Sequence, residues 1–164
     1  MHTANLHTSL SRLFAELVNG TNGKGGFMLN SGDVGLLRSL DTLSAADASR
    51  SVNDGATIAA HADHLRYGLA LMNRWAKEGG DPFADASWDA AWKISSVDER
   101  AWENIRNGLR EEAHTWLETL NVQREASEVE LCGMIGSIAH LAYHFGAIRQ
   151  IGRPARGPRE GMFA

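Results

Sequence analysis

Cysteine is nearly missing: Cys132 is the single one in 164 residues, so no intrachain disulfide can form and the fold cannot rest on one. Cationic charge is also thin. The only lysines are Lys24, Lys77 and Lys93, and 16 basic residues face 20 acidic ones for a formal net charge of −4. A protein that grips a nucleic-acid duplex presents a net cationic face. Here the arginines are scattered, apart from the run Arg149, Arg153, Arg156 and Arg159, which leads into a basic C-terminal tail over 152–164 and reads as solvated rather than as a nucleic-acid arm. No nucleic-acid partner is expected. A cationic start followed by an apolar core is missing at the N-terminus, where Asn5, His7, Ser9, Ser11 and Arg12 interrupt the pattern, so no signal peptide is expected. The longest uncharged stretch, Leu131 to Ile148, carries two histidines, a serine and three glycines. That composition suits a buried helix of a soluble protein better than a membrane span. A cytoplasmic protein without a membrane partner is expected.

Nucleotide motifs are lacking too. Six glycines fall between Gly20 and Gly35, but Lys24 is followed by Gly25 and position 18 is Val18, so no phosphate-binding Walker loop is present. Gly23 and Gly25 are followed by Met28 where a dinucleotide fingerprint needs a third glycine. The stretch reads as a surface loop with some mobility. Strands with period-two alternation are missing as well. What remains is ordinary globular composition, 43% hydrophobic and 22% charged, in a length that suits one domain over 1–164.

Helical period is abundant. Leu6, Leu10, Leu13, Phe14 and Leu17 form one stripe, and Gly20 stops it. Trp102, Ile105, Leu109, Ala113, Trp116 and Leu120 form another. Ser96-Val97-Asp98-Glu99 and Ser127-Glu128-Val129-Glu130 read as capping boxes, and Gly79-Gly80 with Pro82 is a stop. Four long helices are predicted, over 6–19, 54–78, 97–121 and 127–151, with a short helix over Leu36–Leu43 and a capped turn at Ser44-Ala45-Ala46-Asp47. The fold class is all-α, an antiparallel four-helix bundle, and the long stretch between the second and third helices allows a crossover at one end.

Seven histidines punctuate this pattern. His140 and His144 are spaced i, i+4, which stacks them on one helix face with Cβ atoms about 5–6 Å apart, close enough to converge on one metal ion. Their helix is otherwise lined by Leu131, Ile135, Ile138, Leu141, Ile148 and Ile151, so buried imidazoles there need partners. On the second helix His61 and His64 are spaced i, i+3, and periodicity alone does not separate them. Either can supply a third imidazole, leaving coordination positions open. His114 reads as a solvent-edge residue, and His2 and His7 carry no functional signal. Cys132 lies two helical turns from His140, about 12 Å at 1.5 Å per residue, too far for a directly activated pair. It reads as a buried core thiol.

Two segments carry a resemblance. Thr57-Ile58-Ala59-Ala60-His61-Ala62-Asp63-His64-Leu65 resembles the second-helix signature of the DinB/YfiT-like superfamily of bacterial four-helix metalloproteins, in which a Ser or Thr opens the helix and the ligand His follows seven residues later. His140-Leu141-Ala142-Tyr143-His144-Phe145-Gly146-Ala147-Ile148-Arg149-Gln150 is similar to its fourth-helix signature, two ligand histidines spaced by four and followed by Gly and Gln. The glycine-rich stretch and the additional His61 depart from the pattern. The resemblance implies a divalent metal, Zn²⁺ or Ni²⁺, held by His64, His140 and His144, and a homodimer. It also implies chemistry of the thiol-dependent kind, an S-transferase joining a low-molecular-weight thiol to a small electrophile, or a hydrolase. A metal on three neutral imidazoles keeps open positions and positive charge, which favours a bound anion as nucleophile. His61, Asp63, Tyr67, Tyr143 and Glu128 are candidates to orient substrate or carry a proton. Two other readings compete: a non-catalytic module for metal or small anions in stress response, and a structural bundle whose histidines are merely hydrogen-bonded.

Overall fold

A computed structural model of the chain describes residues 3–21, 23 and 25–158; His2, Lys24 and Arg159 lie outside them. All regular structure among these residues is helical: α1 (Thr3–Asn19), α2 (Gly35–Asp41), α3 (Ala45–Ala48), α4 (Ile58–Glu78), α5 (Asp89–Trp92), α6 (Glu99–Asn121) and α7 (Glu128–Ile151), then a 3₁₀ turn over Arg153–Ala155. The all-α class is therefore correct. The four long helices are α1, α4, α6 and α7, and each packs on two others: α4 and α1 both lie against α6 and against α7.

Local chemistry sets the helix starts. The second long helix begins at Ile58 rather than at Asp54, because Asn53 and Asp54 both have positive φ (52° and 56°) and cannot join a right-handed helix. Thr57 is its N-cap: the Thr57 hydroxyl accepts from the Ala60 N–H and donates to the Ile94 carbonyl. Gly79, with φ of 73°, ends it. The expected box at Ser96–Glu99 does not form. Asp98 caps α6 instead, accepting from the Ala101 N–H, while the Glu99 carboxylate reaches across to the Ala45 N–H. The second box forms as read, with Ser127 and Glu130 satisfying each other's backbone N–H groups at the start of α7.

The core is built from the predicted stripes. Leu10, Phe14 and Leu17 of α1 and Trp102, Leu109, Trp116 and Leu120 of α6 are all buried, with Leu65 and Leu69 of α4 and Leu141, Phe145 and Ile148 of α7. Each such side chain contributes about 1.5–3 kcal/mol of burial. The two indole N–H groups in this core are satisfied, Trp102 by the Leu43 carbonyl and Trp116 by the Ser137 hydroxyl. His7 is buried here too, its ring nitrogens facing the Leu120 and Arg124 carbonyls at 3.3 and 2.7 Å, which ties α1 to the end of α6.

Three features differ from the sequence reading. The glycine-rich stretch is anchored: the buried Glu16 carboxylate accepts from the backbone N–H groups of Phe27, Met28 and Leu29. Gly20 and Gly35 close it at its base, both with positive φ, and a Cβ on Gly35 would sit 2.4 Å from the Gly20 nitrogen. Arg149 is no part of a solvated tail. It forms a paired contact with both carboxylate oxygens of buried Asp33 at 2.7 Å and lies over the Phe145 ring, so it joins the loop to α7. The segment after α7 packs back as well, with Ala155 buried. Finally, α7 is apolar on every side, and part of its apolar surface faces outward: Val129, Ile135 and Tyr143 are exposed, and so is Cys132, which is not a core thiol. Among the described residues α7 is the one helix long and apolar enough to cross a membrane, judged by length and composition.

Candidate metal centre

The docking of α4 on α7 brings His64, His140 and His144 together. His64 projects from the second turn of α4, held in place by the Thr57 cap at the helix start. His140 and His144 project from the middle of α7, one turn apart. The Nε2 atom of His140 stands 3.0 Å from Nε2 of His64 and 3.0 Å from Nε2 of His144. His64 and His144 are buried and His140 is half-buried. These are the three residues expected from the sequence.

The arrangement is poor as a hydrogen-bond network. An imidazole nitrogen offers either one N–H or one lone pair, in one direction in the ring plane. The Nε2 atom of His140 therefore cannot serve two partners well, and the Nδ1 atom of buried His64 has no partner among the described residues. A shared cation resolves the convergence of the three Nε2 atoms. Nitrogens bound to one ion at about 2.0–2.1 Å lie about 3 Å apart across a right-angled pair of bonds and about 3.4 Å apart across a tetrahedral one. The two separations through His140 suit that arrangement, and the three ligand atoms all lie within 4.8 Å of one another, so the set can close on a divalent ion that accepts imidazole.

Electrostatics point the same way. Burial first, then the neighbouring His140 and His61, hold His64 down at about 4. Burial, with His140, His64 and His61 behind it, holds His144 at about 3. Burial alone lowers His61 and His140. Neutral imidazoles are the form a metal needs, since protonation removes the lone pair.

His61 is not one of the converging three. Its Nδ1 lies 2.9 Å from Nδ1 of His144, the nitrogen on the far side of that ring from the cluster. It can hold the His144 ring in the orientation that points Nε2 inward, the usual task of a residue behind a metal ligand.

Aromatic residues from the α4–α6 connection cover the cluster. Trp92 lies on His64, with ring centroids 4.4 Å apart at an interplanar angle of 31°, and meets the edge of His61 at 5.5 Å. Trp88 approaches His64 at 5.3 Å. Sequence reasoning gave Trp88 and Trp92 no place in the site. Their i, i+4 spacing across the short helix α5 was the available signal.

The remaining candidates are engaged or remote. Asp63 pairs with Arg66 at 2.7 Å. The Tyr67 hydroxyl accepts from the Ser87 N–H, and its ring meets Trp88. Tyr143 is exposed and touches His144 edge-on, Glu128 is exposed, and His114 is exposed as read. Compared with protein-family models, curated proteins and solved structures, the chain matches none.

Proposed function

We propose that this chain holds one divalent ion, Zn²⁺ or Ni²⁺, on His64, His140 and His144, and works as a metal-dependent enzyme on small electrophiles. The observation that carries this reading is the meeting of three buried or half-buried imidazoles at His140 Nε2, which can satisfy one of its two ring partners but not both. The ion would supply Lewis acidity that favours the anionic form of a small nucleophile, a low-molecular-weight thiol or water. The chain's own residues do the rest. His61 orients His144, Trp92 and Trp88 shield His64 from solvent, and burial keeps the imidazoles neutral. The reaction is S-transfer of the thiol to the electrophile, or hydrolysis.

The same reading takes the four long helices as an antiparallel bundle of the DinB-like kind, with the α4–α6 connection crossing one end, in a cytoplasmic homodimer. Helix order, the Thr57 cap seven residues before His64 and the pairwise packing of the long helices support it. Trp102, Trp116 and Leu10, Phe14 and Leu17 of α1 are buried within the chain and leave nothing for a second copy to cover. The outward face of α7, with Val129, Ile135 and Tyr143, is the surface that a second copy would cover.

A second reading is favoured by one observation. Asp63 is held in an ion pair by Arg66, and the Tyr67 hydroxyl is fixed in place by the Ser87 N–H that it accepts from. That suits a module that binds metal or a small anion without turnover. Elemental analysis of untagged protein tests the shared part, with one equivalent of ion per chain expected. Protein that carries and takes up no divalent ion would overturn both. Turnover of a thiol with an electrophile then separates the enzyme from the module.

A further inference from the structure

Beside the histidine cluster lies a cavity of about 270 Å³ between α4 and α7. Leu65, Leu69 and Met72 of α4 and Leu141 of α7 form its walls, and Phe83 and Trp88 cover it. None of its lining residues carries a formal charge. Its polar side chains are Ser137, His140 and the indole N–H end of Trp88. The Ser137 hydroxyl is already spent, donating to the Met134 carbonyl and accepting from the Trp116 indole N–H. His140 and the Trp88 indole N–H are thus the polar groups left to face an occupant, and the His140 Nε2 belongs to the cluster.

We infer that this cavity binds a neutral apolar group, an aryl ring or branched alkyl chain, of the small molecule whose reactive end lies at the histidine cluster. The reactive-end part rests on the metal-centre reading; the apolar site does not. A charged group buried there would lose its hydration without gaining a partner of opposite charge. Size agrees, since a cavity of about 150 Å³ takes benzene and this one holds a substituted ring. Gly68 and Gly136 border the space without a Cβ. A Cβ on Gly68 would rest 3.7 Å from His140 Cε1 and 3.8 Å from Trp88, and one on Gly136 would meet nothing within 4 Å. Both lie inside helices, where glycine costs about 0.5–1 kcal/mol relative to alanine.

The test uses the full chain, chelator-treated, with benzyl alcohol as the neutral probe and benzoate and benzylammonium as charged analogues. Binding is followed by ligand-observed NMR and calorimetry, and metal content is measured separately for each variant. Benzyl alcohol should bind with a Kd of about 10 mM or tighter, and each charged analogue at least tenfold more weakly. Gly136→Phe, which can turn its ring into the cavity, should lower the affinity for benzyl alcohol at least tenfold while the protein still takes up metal. Gly68→Ala, whose Cβ makes only ordinary contacts, should lower it severalfold and decides the matter if Gly136→Phe does not fold. Benzoate binding as well as benzyl alcohol, no binding of benzyl alcohol at all, or unchanged affinity in the folded variants would overturn the inference. Probe binding to a chain that takes up no metal would leave the apolar site standing and remove the metal-centre reading.

Discussion

Removing His64 and removing His61 should have different consequences, though the two lie one turn apart on α4. His64 contributes an Nε2 atom to the converging three, whereas the ring nitrogen of His61 meets the cluster at the outward Nδ1 of His144. An ion that binds the folded chain stabilises it by RT ln(1 + [L]/Kd), about 2.7 kcal/mol at one hundred times Kd. For a chain of this size that is a rise in melting temperature of roughly 5–11 °C. Loss of a residue that only orients a ligand typically weakens metal binding about 10- to 100-fold. At the same ion concentration His61→Ala should therefore retain about 0.4–1.4 kcal/mol of the stabilisation. His64→Ala should retain almost none, because two imidazoles hold a divalent ion poorly. Differential scanning calorimetry with and without zinc reads the series, and elemental analysis of each variant gives the stoichiometry. If His61→Ala abolishes the zinc-induced rise while His64→Ala keeps it, the ligand assignment is wrong by one turn. If both variants behave as the unaltered chain does, the three-histidine centre does not exist.

Other consequences can be checked independently. Glu16→Ala leaves the N–H groups of Phe27, Met28 and Leu29 without their carboxylate; it should cost about 1–3 kcal/mol and speed hydrogen exchange at those amides, and unchanged exchange would refute the anchoring role. At the start of α7 the Ser127 backbone N–H, then Arg124 and the Ser127 hydroxyl, hold the Glu130 carboxyl at about 2, below its ordinary 4.5. A depressed carboxyl contributes stability above its unfolded value and loses it as pH falls through the folded one. Glu130→Gln should therefore lower the denaturation midpoint at pH 7, and the gap to the unaltered chain should close between about 4.5 and 2; a gap independent of pH would contradict this. Ile135→Glu, on the outward face of α7, should convert a dimer to a monomer in sedimentation velocity, and a chain that is monomeric before the substitution would remove the basis for the homodimer.

The sequence by itself determined the helices, because their signals are local. A stripe at 3.6-residue period, a Ser or Thr hydroxyl at a helix start and a glycine at its end act within a few residues of one another, so α1, α6 and the box at Ser127 and Glu130 were legible. It also determined that His140 and His144 share a face, which follows from helix geometry alone. Signals broke down where two local solutions compete, as at Ser96–Glu99, where Asp98 captured the cap and Glu99 found a backbone N–H on α3. Only the tertiary structure decided which face of α7 is inside. That helix is apolar all round, so periodicity carries little information, and packing against α1 and α4 buried Ile138 and Leu141 while leaving Cys132 and Ile135 outside. The choice between His61 and His64 was of the same kind. Both lie on nearly one side of α4, and the docking of α4 on α7 set His64 against Nε2 of His140 and left His61 behind His144. The Asp33–Arg149 pair and the tryptophan cover over His64 join residues separated by long stretches of chain. No local pattern specifies such contacts, because they exist only once the long helices have packed.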